Sequence, residues 1–191
     1  LFRDIIGIAV DAKSNLILAS TRSTDGFSGI LMFDRLANGN VAPVRKIGGP
    51  MTGALGAFRQ LKVDSERGMV YLAVQGYRGA SATPQKAADL YTNEASLKKL
   101  RAHDERSQRE RPERDPFTSA GFIGAWSLDD NGDIPPRLII RGPAVGASGF
   151  AGVAFSAKHG ELYGVSGGLN GYAAWLVPEF FRKPGQSSEQ R

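Results

Sequence analysis

Cysteine is absent from the 191 residues, and histidine occurs only as His103 and His159. Such a chain cannot build a disulfide framework, a thiolate nucleophile or a zinc ribbon, and no histidine-based metal centre or other cofactor is expected. No apolar run approaches the roughly 18 to 20 residues of a bilayer-spanning helix, so no transmembrane segment is expected. Neither a basic leader nor an initiator Met precedes Leu1, and we expect the natural start to lie upstream. Concentrated charge of one sign is missing too. The net +5 includes only +1 from residues 79–119, where eight Lys/Arg alternate with seven Asp/Glu, and the rest is spread thinly. A nucleic-acid binder concentrates positive charge on one face, so no nucleic-acid partner is expected.

What is abundant is punctuation. Gly (24) and Pro (10) are enriched while aromatic and β-branched residues remain plentiful, a composition that divides a globular chain into short elements. Length suffices for one well-cored domain.

An internal repeat fixes the architecture. Residues 38–56 and 131–149 align without a gap, identical at nine of nineteen positions: Asn38/Asn131, Gly39/Gly132, Pro43/Pro136, Ile47/Ile140, Gly49/Gly142, Pro50/Pro143, Gly53/Gly146, Ala54/Ala147 and Gly56/Gly149. Ordinary composition would give roughly one or two. Around this core an apolar strand, a polar turn and a second apolar strand recur: Ile8–Asp11 to Leu16–Ala19, Leu61–Asp64 to Val70–Ala73, and Val153–Ser156 to Leu162–Val165. A third strand carries an aromatic residue at Phe33, Trp126 or Trp175, and in the first two units an Asn-Gly turn leads on to a fourth. Short runs of β-formers bounded by Gly, Asn, Asp and Pro are strands, and Asn-Gly favours hairpin turns. Four short antiparallel strands per repeat describe a propeller blade.

Phe33 to Gly49 (Phe-Asp-Arg-Leu-Ala-Asn-Gly-Asn-Val-Ala-Pro-Val-Arg-Lys-Ile-Gly-Gly), followed by Gln60-Leu61-Lys62-Val63-Asp64, resembles bacterial β-propeller repeats of the NHL and YncE-like kind. The resemblance implies a six-bladed ring, a periplasmic or extracellular location and a binding role; related propellers include lactonases and lyases. The third unit departs from it, lacking the Asn-Gly-Asn phrase after Trp175.

The expected fold class is therefore all-β: a β-propeller arc of about three four-stranded antiparallel blades, part of a six-bladed ring, with one helical insert. Residues 1–78 form the first blade and the start of the second, 79–119 the charged insert, 120–181 the end of the second blade and the third, and 182–191 a polar tail. Propellers close with four to eight blades, so three would leave two apolar sheet faces bare. The expected partners are further blades of a longer chain or a second protein chain completing the ring. In the insert, Thr83-Pro84 starts a helix over Gln85 to about Arg106. Its thin apolar stripe offers Leu90, Tyr91, Leu97 and Leu100, with Arg101 beside them, as partner-binding residues.

Candidate chemistry is sparse. Asp11 and Asp64 occupy matching positions where the first strand of a unit enters its turn. An aspartate there caps the turn through backbone N–H groups; alternatively the pair act as channel carboxylates of a lactonase-like hydrolase or lyase, or the channel mouth binds a small ligand or carbohydrate. Asp129-Asp130-Asn131-Gly132-Asp133 has an oxygen-rich look but no following Glu, and reads as a turn. The glycine runs before Gly56 and Gly149 lack a Gly-Lys-Ser/Thr ending and precede strands, so they are not phosphate loops. The expected function is a non-catalytic scaffold or protein-interaction subunit.

Overall fold

A computed structural model of the chain describes residues 2–23, 28–53, 58–75, 121–141, 150–166 and 171–181. These residues form three antiparallel sheets. The first contains β1 (Phe2–Asp11), β2 (Leu16–Ser23), β3 (Ser28–Asp34) and β4 (Arg45–Gly48) in that spatial order. In the second, β5 (Phe58–Asp64), β6 (Met69–Val74), β7 (Phe122–Ser127) and β8 (Leu138–Ile140) repeat the arrangement. The third has β9 (Phe150–Ser156), β10 (Glu161–Ser166) and β11 (Gly171–Leu176).

The register of the repeat is exact across sheets. Asp11 faces Leu16, Asp64 faces Met69 and Ser156 faces Glu161. The four-residue turn between them ends in positive φ each time, at Asn15 (54°), Gly68 (64°) and Gly160 (68°). Asn and Gly are the residues that tolerate this conformation.

Alternation along each strand gives every sheet two apolar faces. The forward face of the first sheet, with Leu16, Leu18, Ile30, Met32 and Ile47, packs on the rear face of the second, where Phe58, Leu61, Val70, Leu72 and Trp126 are all buried. The forward face of the second sheet (Tyr71, Ala73, Ile123, Ala125, Ile140) packs in the same sense on the rear face of the third through Phe150, Val153 and Leu162, with Trp175 partly buried. β1 packs beside β5 and β5 beside β9. Gly7, at the bend of β1, lies against this contact, and a Cβ on it would come within 3.0 Å of the Arg59 carbonyl.

Two expectations need correction. The third sheet has three described strands rather than four, because Leu176 is followed by Val177 and Pro178. Proline cannot extend a ladder as a donor, and the chain turns into a 3-10 helix at Pro178–Phe181 that drives Phe180 and Phe181 into the second core. The Asn-Gly turns, in turn, are not tight hairpins: residues 35–44 separate β3 from β4. The segment expected to form an inserted helix, with Leu90, Tyr91, Leu97, Leu100 and Arg101, and the 182–191 tail lie outside the described residues.

Candidate interaction surface

Asp11 and Asp64 are both buried, at 0% and 5% exposure. Asp11 Oδ1 accepts the Lys13 N–H at 3.2 Å, closing an Asx turn. Burial opposes its charge, but the hydroxyls of Ser65 and Ser14 and the N–H groups of Lys13 and Ser14 outweigh that, holding its carboxyl below the ordinary aspartate range. Ser65 belongs to the next unit, so this carboxylate also lies within the electrostatic reach of the second sheet. Asp64 caps its own turn through the N–H groups of Glu66 (3.2 Å) and Arg67 (3.3 Å). Its Oδ2 pairs with Arg67 Nη1 at 3.0 Å, and Arg67 Nε donates to the Phe181 carbonyl at 2.6 Å. The two aspartates thus hold turns and sheet junctions.

Ser156 occupies the equivalent place in the third unit, and the fold brings it to His159 and Glu161, a trio that sequence spacing did not reveal. Ser156 Oγ lies 2.9 Å from His159 Nδ1, and Glu161 Oε2 lies 3.8 Å from the same nitrogen. A nucleophile relay requires the hydroxyl and the carboxylate on opposite ring nitrogens. With both on Nδ1, the trio is a polar turn at the surface. Glu161 Oε2 also accepts the Tyr163 hydroxyl at 2.6 Å.

A shallow cavity of about 400 Å³ opens between Ser14, Asn15, Asp34, Val44 and Arg45. Its polar groups already have work: Asn15 Oδ1 accepts Arg35 Nη2 at 2.9 Å and Asp34 Oδ1 accepts the Leu36 N–H at 2.9 Å.

The repeated Asn-Gly phrase has a role the sequence did not disclose. Asn131-Gly132-Asp133 of the second unit grips β4 of the first. Lys46 donates its N–H to Asn131 Oδ1 (3.0 Å), Gly132 donates to the Lys46 carbonyl (2.7 Å), Gly48 donates to the Gly132 carbonyl (3.1 Å) and Met51 donates to Asp133 Oδ1 (2.7 Å). Ile134 follows into the first core. Neighbouring carboxylates brace this clamp: Asp130 Oδ1 accepts Arg137 Nη2 at 2.6 Å, and Asp129 lies 3.7 Å from Arg45. Burial works against the Asp130 charge, and the Arg137 bond overrides it, so that carboxyl too sits low. The matching Asn38-Gly39-Asn40 of the first unit is exposed, and Val41, the counterpart of Ile134, faces solvent.

The outermost faces of the stack are open. On the rear of the first sheet Ile5, Ile8 (66% exposed) and Val10 line β1, while Ala19 and Leu31 nearer its middle are sheltered and Phe33 is half-buried. On the forward face of the third sheet Val165, Tyr172 (79%) and Leu176 (74%) stand in solvent. These are the register equivalents of faces that are covered at both internal junctions, which explains why Trp126 is core and Phe33 is not fully so. No protein-family model and no curated protein matches this chain.

Proposed function

We propose that the chain is an arc of a β-propeller of the NHL and YncE-like kind, serving as a non-catalytic scaffold or protein-interaction subunit in a periplasmic or extracellular assembly. The observation that carries the reading is the pair of open apolar faces, Ile5-Ile8-Val10 at one end and Val165-Tyr172-Leu176 at the other. Contiguous exposed apolar surface of this kind marks an interface. The occupants are β-sheets of the same repeat, from further blades of a longer chain or from a second protein chain, because each face repeats one that already packs on such a sheet. Leu90, Tyr91, Leu97, Leu100 and Arg101 of the insert are a second proposed contact, supported by their helical spacing.

A photo-activatable side chain placed at position 8 or 172 tests this. Cross-links to a β-sheet, within the polypeptide where further blades belong to it or to a second protein chain where they do not, are expected from both positions and not from exposed Lys13. Failure at both in a folded chain overturns the interaction role. A lactone hydrolysis assay is the complementary test: turnover that disappears in Asp64→Asn would make Asp11 and Asp64 catalytic and replace the scaffold reading.

A further inference from the structure

Of the three Asn-Gly pairs in the chain, Asn170-Gly171 begins outside the described residues, and the other two, Asn38-Gly39 and Asn131-Gly132, are chemically identical and structurally opposite. In the second unit both reacting groups of the pair are held: the Asn131 amide oxygen accepts the Lys46 N–H at 3.0 Å, and the Gly132 N–H donates to the Lys46 carbonyl at 2.7 Å. In the first unit Asn38 and Gly39 are exposed, and among the described residues neither the Asn38 side chain nor the Gly39 N–H has a hydrogen-bond partner. A Cβ added to Gly39, whose φ is +81°, would meet nothing within 4 Å. Nothing therefore restrains the Asn38 side chain from folding back on the following backbone nitrogen.

We propose that Asn38 is a site of self-catalysed deamidation in the native chain, and that Asn131 is protected by the neighbouring sheet. The Gly39 nitrogen attacks Asn38 Cγ; the new N–Cγ bond forms as the bond from Cγ to the side-chain nitrogen breaks, and that nitrogen leaves as ammonia, taking up the proton of the Gly39 amide. The five-membered succinimide then adds water at either carbonyl. Opening one C–N bond gives aspartate, and opening the other gives isoaspartate, in which the main chain runs through the former side-chain carbon. No oxidant or reductant is required. Glycine after the asparagine suits this step because it has no side chain to obstruct ring closure. Each event replaces a neutral amide by a carboxylate, lowering the formal charge of +5 by one. At Asn131 the same attack must first break both bonds to Lys46.

The test is incubation of the purified full chain at mildly alkaline pH, followed by peptide mass mapping and isoaspartate detection in the separated peptides that carry Asn38 and Asn131, apart from the one that carries Asn170, in native buffer and in concentrated urea. In native buffer Asn38 should convert roughly thirtyfold faster than Asn131, the factor corresponding to about 2 kcal/mol of extra barrier. In urea, where the Lys46 bonds are gone, the two rates should converge to within about threefold, a barrier difference below about 1 kcal/mol. Asn38→Gln, whose longer side chain closes a larger ring, should abolish the change at position 38 and leave position 131 as it was. Equal native rates, faster loss at Asn131, or an Asn38 that reacts only in urea would each overturn the proposal. The interaction reading is independent of this result, since it rests on positions 8 and 172.

Discussion

Gly49 and Asp133, from different repeat units, touch so closely that a Cβ on Gly49 would lie 2.4 Å from the Asp133 carboxylate carbon. The Asp133 side chain reaches over this bare backbone to take the Met51 N–H at 2.7 Å. Gly49 also has φ +131°, which strains any other residue. Gly49→Ala should therefore destabilise the fold by about 2 kcal/mol or more through clash and strain together. Asp133→Ala should cost about 1 kcal/mol for one lost bond to backbone. The double variant should be less unstable than the sum, because removing the carboxylate removes the clash. Urea unfolding of the three variants measures all of this, and strict additivity would show that the contact does not couple the two units.

Trp126 covers Gly124 in the first core. The two residues alternate along β7 on one face, and a Cβ at 124 would come within 2.6 Å of the indole ring. Gly124→Ala should cost about 1 to 3 kcal/mol by overpacking, and Trp126→Ala about 3 to 5 kcal/mol by cavity formation. Combining them should recover part of the loss, since alanine at 124 no longer meets the ring. A double-mutant cycle by thermal unfolding checks the sign of the coupling. The third sheet repeats the device at Gly164, where Trp175 and Phe150 would each be 2.8 Å from an added Cβ.

How much of this could be read from the chain follows from which interactions are local. The strand pattern, the matched Asp11 and Asp64, the Asn15/Gly68/Gly160 turns and the Phe33/Trp126/Trp175 equivalence all depend on short-range alternation and backbone conformation, which residue types report directly. The clamp of Asn131 and Asp133 was hidden because its partners, Lys46 and Met51, lie in another unit, and a turn dipeptide does not say what its side chains grip. Pro178 could have announced the missing strand of the third sheet. That Phe180 and Phe181 fill a core had no periodic signature in so short an element. The contact of Ser156 with His159 escaped for the same reason, since it is made across a turn by residues that pattern reading treats as punctuation. The insert and its proposed partner residues lie outside the described residues, so the charged segment contributes sequence arguments alone.

Asp11 makes the stability of the fold depend on acidity with a definite sign. Its folded carboxyl titrates below the ordinary aspartate value despite burial, held by Ser65, Ser14 and turn N–H groups. A depressed carboxylate contributes stability that is fully present above the unfolded value of about 3.9 and is lost as pH falls through the folded one. Asp11→Asn should therefore be less stable than the natural chain at neutral pH, with the gap closing below about pH 4. Unfolding midpoints measured from pH 7 down to about pH 2 give the comparison. A gap that widens on acidification would reverse the assignment.

Tyr71 supplies the opposite, alkaline limb. It is fully buried, its ring meets Phe155 at 5.0 Å and Phe181 at 5.7 Å, and its hydroxyl donates to the Phe180 carbonyl at 3.1 Å. Burial raises its phenol pKa first, and the nearby Asp64 charge adds to the rise, against a smaller opposing effect of Arg67. A group whose folded pKa is raised contributes stability that is complete below the unfolded value, about 10 for tyrosine, and is lost as pH climbs through the folded value. One tyrosine should thus ionise only as the chain unfolds, seen as tyrosinate absorbance that tracks loss of circular dichroism. Tyr71→Phe should remove this step and cost about 1 kcal/mol at neutral pH, because the Phe180 carbonyl loses its donor. Removing that donor frees the Pro178–Phe181 turn at the junction of the second and third sheets, so the variant should also expose Phe180 and Phe181 to protease attack sooner than Ile8 or Val10, which belong to the far end of the stack. Cleavage that begins equally at both ends would show that the hydroxyl does not fasten the turn.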